Sequence, residues 1–482
     1  MKKIKTLCLL LIGLSFTACV QNTTVSAQNA ALNTFVQSSN LRYAGIGINV
    51  VDLSTGNVVC KYNENLALTP ASTTKLLTTA SALELFGEKY RYETSLYAVG
   101  NIDSNGTLNG FLFIKGSGDP TLGSEYLYAN PKNFLKDWLV AIQTAGIKRI
   151  TNGILVGDNP DCYEPISHDW VLADVGNYYA PEIYTISIFD NTYRLYFKSG
   201  KVNTTPTIIK TEPQMNLIFK NYLKTADNNI DNAYIRRLPA YSERAIYGTI
   251  PAGRSEFAIK GTIPRPPVFL AEYFKGYLTG NGIHVEGKAE GAQRNIKNND
   301  KLLKITYSKP LSEIIRVTNV KSNNHYAESL FFTIGKEKTD VTDCIYIPRQ
   351  SAEYIKEFWK NRSINTSGAF LYDGSGLAPT NALSVKLLTD LLVYMDNKSN
   401  YSKTFYNSLP EAGKEGTVQN FLKTKKPGVT AKIKSGSMSD VQSYAGYIEK
   451  DGKKYAFAII VNNFTGTRAA LKKQMEEFLL NF

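Results

Sequence analysis

Three short polar motifs are spread over the 482-residue sequence, and the wide gap between the first two constrains the fold most strongly. Ser72 is followed three positions later by Lys75, whereas the pair Ser322 and Asn324 begins 250 residues after Ser72. The third motif begins at Lys434. If the motifs form one site, the two ends of the chain must come together, and most of the residues between Ser72 and Ser322 must form an insertion.

The first motif has the composition of an activated nucleophile at the start of a helix. A serine hydroxyl attacks poorly until a base removes its proton, and a lysine three residues further along a helix lies on the same face. Thr69 is a plausible N-cap, Pro70 suits the first helical position, and Gly87 is a natural stop after apolar residues at helical spacing. We therefore expect Ser72 and Lys75 in the first two turns of a helix, where the positive end of the helix dipole favours negative charge.

The other two motifs supply further polar groups of such a site. Ser322 and Asn324 can both face a cleft from a short turn or a helix start, and Lys434 opens the sequence Lys-Ser-Gly-Ser. Ser-x-x-Lys, Ser-x-Asn and Lys-Ser/Thr-Gly are together the signature of penicillin-binding proteins and class A β-lactamases. Their order and context make a chance occurrence a poor explanation.

Composition argues against several other function classes. The net charge is +13, but the basic residues are scattered and no nucleic-acid-binding motif is present, so we expect no nucleic-acid partner. The sequence has three histidines and no Cys-x-x-Cys, His-Glu-x-x-His, Gly-x-Ser-x-Gly or P-loop pattern. We expect no metal and no organic cofactor. His325 invites a Ser-His-Asp interpretation, but no acidic partner is evident. The cysteines after the leader, Cys60, Cys162 and Cys344, are interpreted as buried apolar residues.

The first residues are interpreted as an export leader rather than as part of the fold. Three lysines within the first five residues precede an apolar stretch, residues 7–20, that is too short to span a bilayer. Two kinds of processing fit: cleavage by signal peptidase before Gln28, or a lipobox that makes Cys19 the lipidated N-terminus after removal of residues 1–18. Both predict a periplasmic or cell-envelope protein, and the second adds membrane attachment through Cys19.

Hydrophobic periodicity predicts helix-rich chain ends around a strand-rich middle. We expect short strands and turns to dominate from about residue 90 to 265. The more strongly patterned segments are strands at 45–52, 57–62 and 455–461 and helices at 135–145, 268–279, from 311 through 322 into 330, and at 467–480.

Along nearly the whole exported chain, the sequence resembles the low-molecular-mass class C penicillin-binding proteins, the D-alanyl-D-alanine carboxypeptidase/endopeptidase family (peptidase family S13). The resemblance extends well beyond the three motifs. It is carried by residues 116–122, Trp170 with Asp174, residues 179–180 and 190–191, residues 260–264, 309–311 and 322–328, and residues 372–377, 409–410 and 413–417.

The resemblance implies an α/β multidomain architecture. A transpeptidase-like or serine β-lactamase-like domain, with helices packed on an antiparallel sheet, would be built from the two chain ends, and two nested β-rich domains would be inserted into it. The implied boundaries assign the penicillin-binding domain to 28–92 and 306–482, the second domain to 93–116 and 191–305, and the third to 117–190.

The resemblance also implies a role for each motif residue. Ser72 would be the nucleophile and Lys75 its base, with a pKa depressed by nearby Lys434. Ser322 would relay a proton to the leaving amine, and Asn324 would hold the substrate amide. Ser435 and Ser437 would bind the terminal carboxylate, Gly436 would let substrate approach the backbone, and the N–H groups of Ser72 and Ser437 would form an oxyanion hole.

The expected activity is a serine-type D-Ala-D-Ala carboxypeptidase or endopeptidase that acts on peptidoglycan peptides and binds β-lactam antibiotics covalently. One departure is a serine at position 435, where the family usually has threonine. Two alternatives remain: a serine β-lactamase, although no Glu-x-x-Asn occurs between Ser322 and Lys434, and a non-catalytic peptidoglycan-binding scaffold that has kept the fold.

Overall fold

A computed structural model describes residues 30–157, 165–238, 242–292, 294–341, 345–424 and 428–482. The predicted leader, Cys162 and Cys344 lie outside these residues. The chain divides into two compact units: unit 1 comprises the residues up to Leu77, Trp359–Phe370 and Asn381–Phe482, and unit 2 comprises Thr78–Phe358 and Leu371–Thr380.

Unit 1 contains a five-stranded antiparallel sheet made from both ends of the chain. Gly45–Asp52 pairs with Lys453–Asn462 along its full length, so the N-terminal and C-terminal segments are joined at the centre of the sheet. The order of the strands across the sheet is Thr430–Met438, Val441–Lys450, Lys453–Asn462, Gly45–Asp52 and Val58–Tyr62.

The central strand of this sheet is covered on both faces. In Lys453–Asn462 every residue from Tyr455 to Val461 is buried, although side chains of successive strand residues point to opposite faces. Leu471 and Phe478 of the C-terminal helix belong to the same apolar cluster as Phe457, Ile459 and Val461 of this strand. The helices of unit 1 are 30–36, Val385–Asn397, Ser402–Ser408 and Arg468–Asn481, with short 3₁₀ turns at Ser39–Leu41, Ala71–Thr73 and Gly416–Val418.

Unit 2 contains three sheets of seven, three and four strands. Its core includes Trp138, whose ring meets that of Phe274 edge to face with centroids 5.2 Å apart. The strands are Glu93–Ile102, Thr107–Lys115, Arg149–Ile150, Gly153–Gly157, His284–Val285, Lys288–Gly291 and Lys301–Tyr307 in the first sheet, Thr192–Lys198, Thr207–Glu212 and Phe257–Thr262 in the second, and Ile218–Asn221, Lys224–Ala226, Asn232–Arg237 and Glu243–Pro251 in the third.

The helices of unit 2 are Asn133–Thr144, Pro266–Gly280, Leu311–Val320 and Asn324–Lys338, with a 3₁₀ turn at Phe189–Asn191. Two boundaries between unit 1 and unit 2 fall within further helices, Thr74–Phe86 and Ile347–Lys360. Among the described residues, no helix combines the length and the apolar character that a membrane span requires.

The predicted mixture of helices and sheets is confirmed, and most of the patterned segments lie within two or three residues of their expected bounds. The helix predicted from residue 311 into 330 is instead two helices, Leu311–Val320 and Asn324–Lys338. They are separate because Ser322 adopts a positive φ of 53°, which ends the first helix. The subdivision of the inserted region into two nested domains stays a prediction.

Candidate active site

Ser72 lies in a 3₁₀ turn, Ala71–Thr73, directly before the helix Thr74–Phe86. The prediction that the α-helix begins at Pro70, capped by Thr69, is therefore wrong. Ala71 has a φ of 47°, in the left-handed region that non-glycine residues seldom occupy, so the chain bends sharply just before the serine. The predicted end of the helix is confirmed, since it ends at Phe86 and Gly87 follows with a φ of 79°.

Side chains on both sides hold the bend before Ser72 in place. The amide of Asn462 accepts a hydrogen bond from the N–H of Thr69 and donates one to the carbonyl of the same residue. The hydroxyls of Thr73 and Ser443 both donate to the carbonyl of Pro70. A strained backbone persists only where its surroundings fix it, and these four bonds supply that constraint.

Lys75 reaches the hydroxyl of Ser72 as the sequence predicted. Its Nζ lies 2.9 Å from Ser72 Oγ, within hydrogen-bond distance. The lysine side chain is fully buried, whereas Ser72 is partly exposed. An amine buried against a partly exposed hydroxyl is the geometry in which a lysine can take up a serine proton.

Lys434 places a second amine near the first one. It lies on Thr430–Met438, which is the edge strand of the sheet as predicted, and its side chain is fully buried. Its Nζ donates to the carbonyl of Ser435 at 2.6 Å. Burial lowers the pKa of Lys434 well below that of an ordinary lysine, and the charge of Lys75 lowers it further. Because the two charges repel, protonation of either amine disfavours protonation of the other.

Gly436 brings the edge strand against the nucleophile. A Cβ at this position would lie 2.6 Å from the carbonyl oxygen of Pro70, 2.9 Å from the backbone nitrogen of Ser72 and 2.3 Å from the hydroxyl of Ser443. The sequence predicted that the glycine makes room for substrate. The structure gives a more immediate reason, because only a residue without a side chain lets this strand approach the backbone of Ser72 so closely.

Around the remaining residues of the third motif, the structure has hydrogen bonds to two residues that the sequence did not single out, Thr417 and Arg468. The hydroxyl of Ser435 donates to Thr417 Oγ1 at 2.7 Å, and Ser437 is exposed. Arg468 donates to the carbonyls of Met438 and Val441, so it fixes the turn after Ser437. Thr417 lay within a stretch that resembles the family, which was a usable signal, whereas nothing near Arg468 in the sequence marked it.

Ser322 and Asn324 belong to unit 2 and lie at the start of the helix Asn324–Lys338, as predicted. Asn323, between them, has a separate structural role, since its side chain caps the helix by accepting from the N–H of Tyr326. The side chain of Asn324 donates to the carbonyl of Tyr179 at 2.7 Å. Both Ser322 and Asn324 are partly exposed, and so are accessible from solvent.

Two alternative nucleophilic arrangements lose support from the local structure. His325 is buried, neither of its ring nitrogens has a hydrogen-bond partner among the described residues, and burial lowers its pKa to about 3. Ser375 is also fully buried, in a tight turn where Asp373 accepts from the N–H groups of Gly376 and Ala378. The same carboxylate accepts from the indole of Trp170, so this turn is a structural element of unit 2.

The part of the chain that the structure describes contains no group of three or more histidine, cysteine, aspartate or glutamate side chains that could hold a metal ion. Cys60 is buried in the core of unit 1, as expected for a small apolar residue, and burial raises the pKa of its thiol to about 12.

Comparison with known proteins gives relatives along almost the whole chain. The D-alanyl-D-alanine carboxypeptidase of Actinomadura sp. (strain R39) is 25% identical over 452 residues, covering 90% of this chain and 81% of the relative. The D-alanyl-D-alanine carboxypeptidase DacB of Haemophilus influenzae is 25% identical over 462 residues, covering 91% of each. The crystal structure of penicillin binding protein 4 (DacB) from H. influenzae superposes with a TM-score of 0.76 at 21% identity, covering 93% of this chain and 98% of that one.

The solved structure establishes the fold, and the family match extends over residues 28–481, which include all three motifs. The chain therefore belongs to the D-Ala-D-Ala carboxypeptidase 3 (S13) family, whose members are serine-type peptidases.

Proposed function

We propose that this protein removes the terminal D-alanine from peptidoglycan stem peptides through an acyl-enzyme on Ser72. The observation that carries the proposal is the 2.9 Å contact between Lys75 Nζ and Ser72 Oγ. A serine at this distance from a buried amine can lose its proton as it attacks a bound amide, which is the first step in forming an ester.

The acylation step begins when Ser72 Oγ attacks the carbonyl carbon of the penultimate D-alanine. The hydroxyl proton passes to Lys75, and the oxyanion accepts hydrogen bonds from the backbone N–H groups of Ser72 and Ser437. The C–N bond then breaks, and Ser322 passes the proton that Lys75 took from Ser72 to the leaving nitrogen, so D-alanine departs as the amine and Lys75 is neutral again. Water hydrolyses the ester and restores the serine.

Four residues bind the substrate around the reacting bond. Lys434 supplies positive potential, and the hydroxyls of Ser435 and Ser437 donate to the terminal carboxylate. Because Ser435 has a single hydroxyl proton, it turns from Thr417 Oγ1 to the carboxylate when substrate binds and then accepts a hydrogen bond from the Thr417 hydroxyl. Asn324 holds the substrate amide. The amide of a peptidoglycan cross-link presents the same bond, so an endopeptidase activity would use the same groups.

The test is release of D-alanine from diacetyl-L-lysyl-D-alanyl-D-alanine. We expect release by the unmodified protein, none above background by Ser72→Ala, and retained release by Ser375→Ala, which removes a serine outside the proposed site. Ser72→Ala with the unmodified rate would overturn the proposal. Rapid turnover of a chromogenic cephalosporin without D-alanine release would instead identify a β-lactamase.

We propose in addition that the protein works in the cell envelope after export. Support comes from the basic and apolar character of the first 20 residues, which lie outside the described structure. The mass of the N-terminal peptide of the mature protein distinguishes cleavage before Gln28 from lipidation of Cys19. A protein that keeps Met1 and stays in the cytoplasm would contradict both alternatives.

A further inference from the structure

Three consecutive residues of unit 2 have left-handed backbone conformations. Phe189, Asp190 and Asn191 have φ values of 52°, 56° and 52°. Aspartate and asparagine tolerate this conformation as single residues, whereas phenylalanine seldom adopts it and runs of such residues are rare. Strained backbone of this kind persists where the surrounding structure fixes it, and it often marks a functional element. We call Phe189–Asn191 the left-handed turn.

Hydrogen bonds fix the left-handed turn from several sides. The N–H of Phe189 donates to the carbonyl of Leu122, and the carbonyl of Asn191 accepts from the N–H of Ile263. The side chain of Asn191 accepts from the N–H of Ile188. These bonds come from segments that are distant in the chain, so the turn is a rigid element against which other groups can be held.

The carboxylate of Asp190 connects the left-handed turn to the helix that begins at Asn324. Its Oδ1 accepts a hydrogen bond from the hydroxyl of Tyr326 at 2.8 Å, and its Oδ2 accepts from the N–H of Glu125 at 3.1 Å. Ser124 Oγ lies 2.6 Å from the same tyrosine oxygen. Tyr326 is completely buried, so this polar cluster is shielded from water, where a hydrogen bond to a carboxylate is strong.

The charge of Asp190 makes the hydroxyl of Tyr326 important to this cluster. Burial raises the pKa of Asp190 to about 6, and the contacts of the carboxylate with the hydroxyls of Ser124 and Tyr326 oppose the rise. At neutral pH the carboxylate is therefore largely ionised and can only accept hydrogen bonds. Removal of the tyrosine hydroxyl would leave a buried charge with one donor fewer, and the groups around it would have to shift.

The backbone of Tyr326 belongs to the second motif. Its N–H donates to the side chain of Asn323, which caps the helix. On the other side of this cap, the N–H of Asn323 donates to the carbonyl of Thr318, and Ser322 has its left-handed φ of 53°. Tyr326 therefore joins the helix start, with Ser322 and Asn324, to the left-handed turn.

The left-handed turn also holds the group that the side chain of Asn324 contacts. That side chain donates to the carbonyl of Tyr179. Three residues further along the same segment, the carbonyl of Glu182 accepts from Asn191 Nδ2 at 3.2 Å. One rigid turn thus contacts both the helix that presents Asn324 and the segment to which its amide is hydrogen-bonded.

We propose that Tyr326 is a positioning residue of the active site, which holds Asn324 in the place where it binds the substrate amide. Tyr326 is buried and does not touch substrate, so it acts only through Asn324. This inference rests on the proposed function for the role of Asn324. The position of the helix start does not depend on catalysis and is measured separately.

The first experiment measures the second-order rate constant for acylation by a fluorescent penicillin. Tyr326→Phe removes one hydroxyl and keeps the ring, and a shift of about half an ångström at Asn324 is expected to slow acylation about tenfold. The matched control is Tyr92→Phe. Tyr92 is also completely buried in unit 2, and its hydroxyl is hydrogen-bonded to Thr333 Oγ1 of the same helix at 3.0 Å. Since Thr333 lies far along the helix from Asn324, the control should be acylated at the unmodified rate.

The second experiment repeats the comparison in the Asn324→Ala background, which lacks the side chain that Tyr326 positions. Because the two residues act as one unit, Tyr326→Phe should slow acylation by less than about twofold in this background. An equal loss in both backgrounds would overturn the inference, because a hydroxyl that merely stabilises the fold acts whether or not Asn324 is present. Acylation of Tyr326→Phe at the unmodified rate would also overturn it.

The third measurement separates this inference from the proposed function. Hydrogen–deuterium exchange in peptides spanning residues 322–328 is expected to be faster in Tyr326→Phe than in the unmodified protein and in Tyr92→Phe. If the unmodified protein is not acylated but exchange rises in Tyr326→Phe alone, the proposed function fails and the positioning of the helix start stands. If the unmodified protein is acylated and exchange in Tyr326→Phe is unchanged, the inference fails and the proposed function stands.

Discussion

Replacing Gly436 by alanine tests whether the close approach of the edge strand to Ser72 positions the nucleophile. The added methyl group would lie 2.6 Å from the carbonyl oxygen of Pro70 and 2.9 Å from the nitrogen of Ser72. Both neighbours are backbone atoms, so they cannot rotate away. Strand and turn must separate by roughly 0.5 to 1 Å to reach ordinary van der Waals contact.

The expected effect on acylation is larger than the effect on stability. Overpacking of this kind costs about 1–3 kcal/mol of unfolding free energy. A displacement approaching 1 Å at a reacting group can cost roughly 100-fold in rate. We therefore expect the second-order rate constant for labelling by a fluorescent penicillin to fall by about two orders of magnitude, while the variant still unfolds cooperatively.

The matched control is Gly368→Ala, also in unit 1. A Cβ at Gly368 would meet no atom within 4 Å, and its φ lies outside the left-handed region, so this variant should label at the unmodified rate. If Gly436→Ala labels as fast as the unmodified protein, the argument that this contact positions Ser72 is refuted.

Three further predictions concern buried groups. Burial and the charge of Lys75 lower the pKa of Lys434 in the folded protein. At pH values between this lowered pKa and the ordinary lysine value of about 10.4, Lys434 is therefore protonated in the unfolded chain and neutral in the folded protein. The unfolding free energy should therefore rise with pH in that window, and chemical denaturation of Lys434→Met should show a smaller rise. With its pKa near 3, His325 should be neutral at all working pH values, so His325→Leu should keep the pH–rate profile of the unmodified protein. As the pH falls from about 6.5 to 3, this histidine is protonated only in the unfolded chain, so the unmodified protein should lose more unfolding free energy than His325→Leu does. Trp170→Phe removes the indole donor from buried Asp373 and should cost about 1–3 kcal/mol in denaturant unfolding, whereas an unchanged midpoint would show that the bond contributes nothing.

Sequence reasoning located the elements near the first and third motifs because their signals are local. The spacing of Ser72 and Lys75 fixes their contact once a helical turn forms between them. The long apolar run ending at Val461 is typical of a strand buried on both faces, and the structure has this strand. These features needed no knowledge of the rest of the chain.

The residue at which the helix Thr74–Phe86 begins could not be predicted from local sequence. Thr69 and Pro70 have the composition of a helix N-terminus, but hydrogen bonds from Asn462 and Ser443, almost 400 residues away in the chain, hold this segment in a different conformation. Tertiary contacts override local preference here. The hydrogen bond between Ser435 and Thr417 joins residues 18 positions apart, and although Thr417 belongs to a stretch that resembles the family, the sequence does not show which residue its side chain meets.

The most direct test of the central claim is the site of penicillin attachment. The unmodified protein is incubated with benzylpenicillin and digested, and the peptides are mapped by tandem mass spectrometry. We predict one added penicilloyl group, located on Ser72 and absent from Ser72→Ala. An adduct on another residue, or an intact protein mass that does not change under saturating benzylpenicillin, would contradict the assignment of Ser72 as the nucleophile.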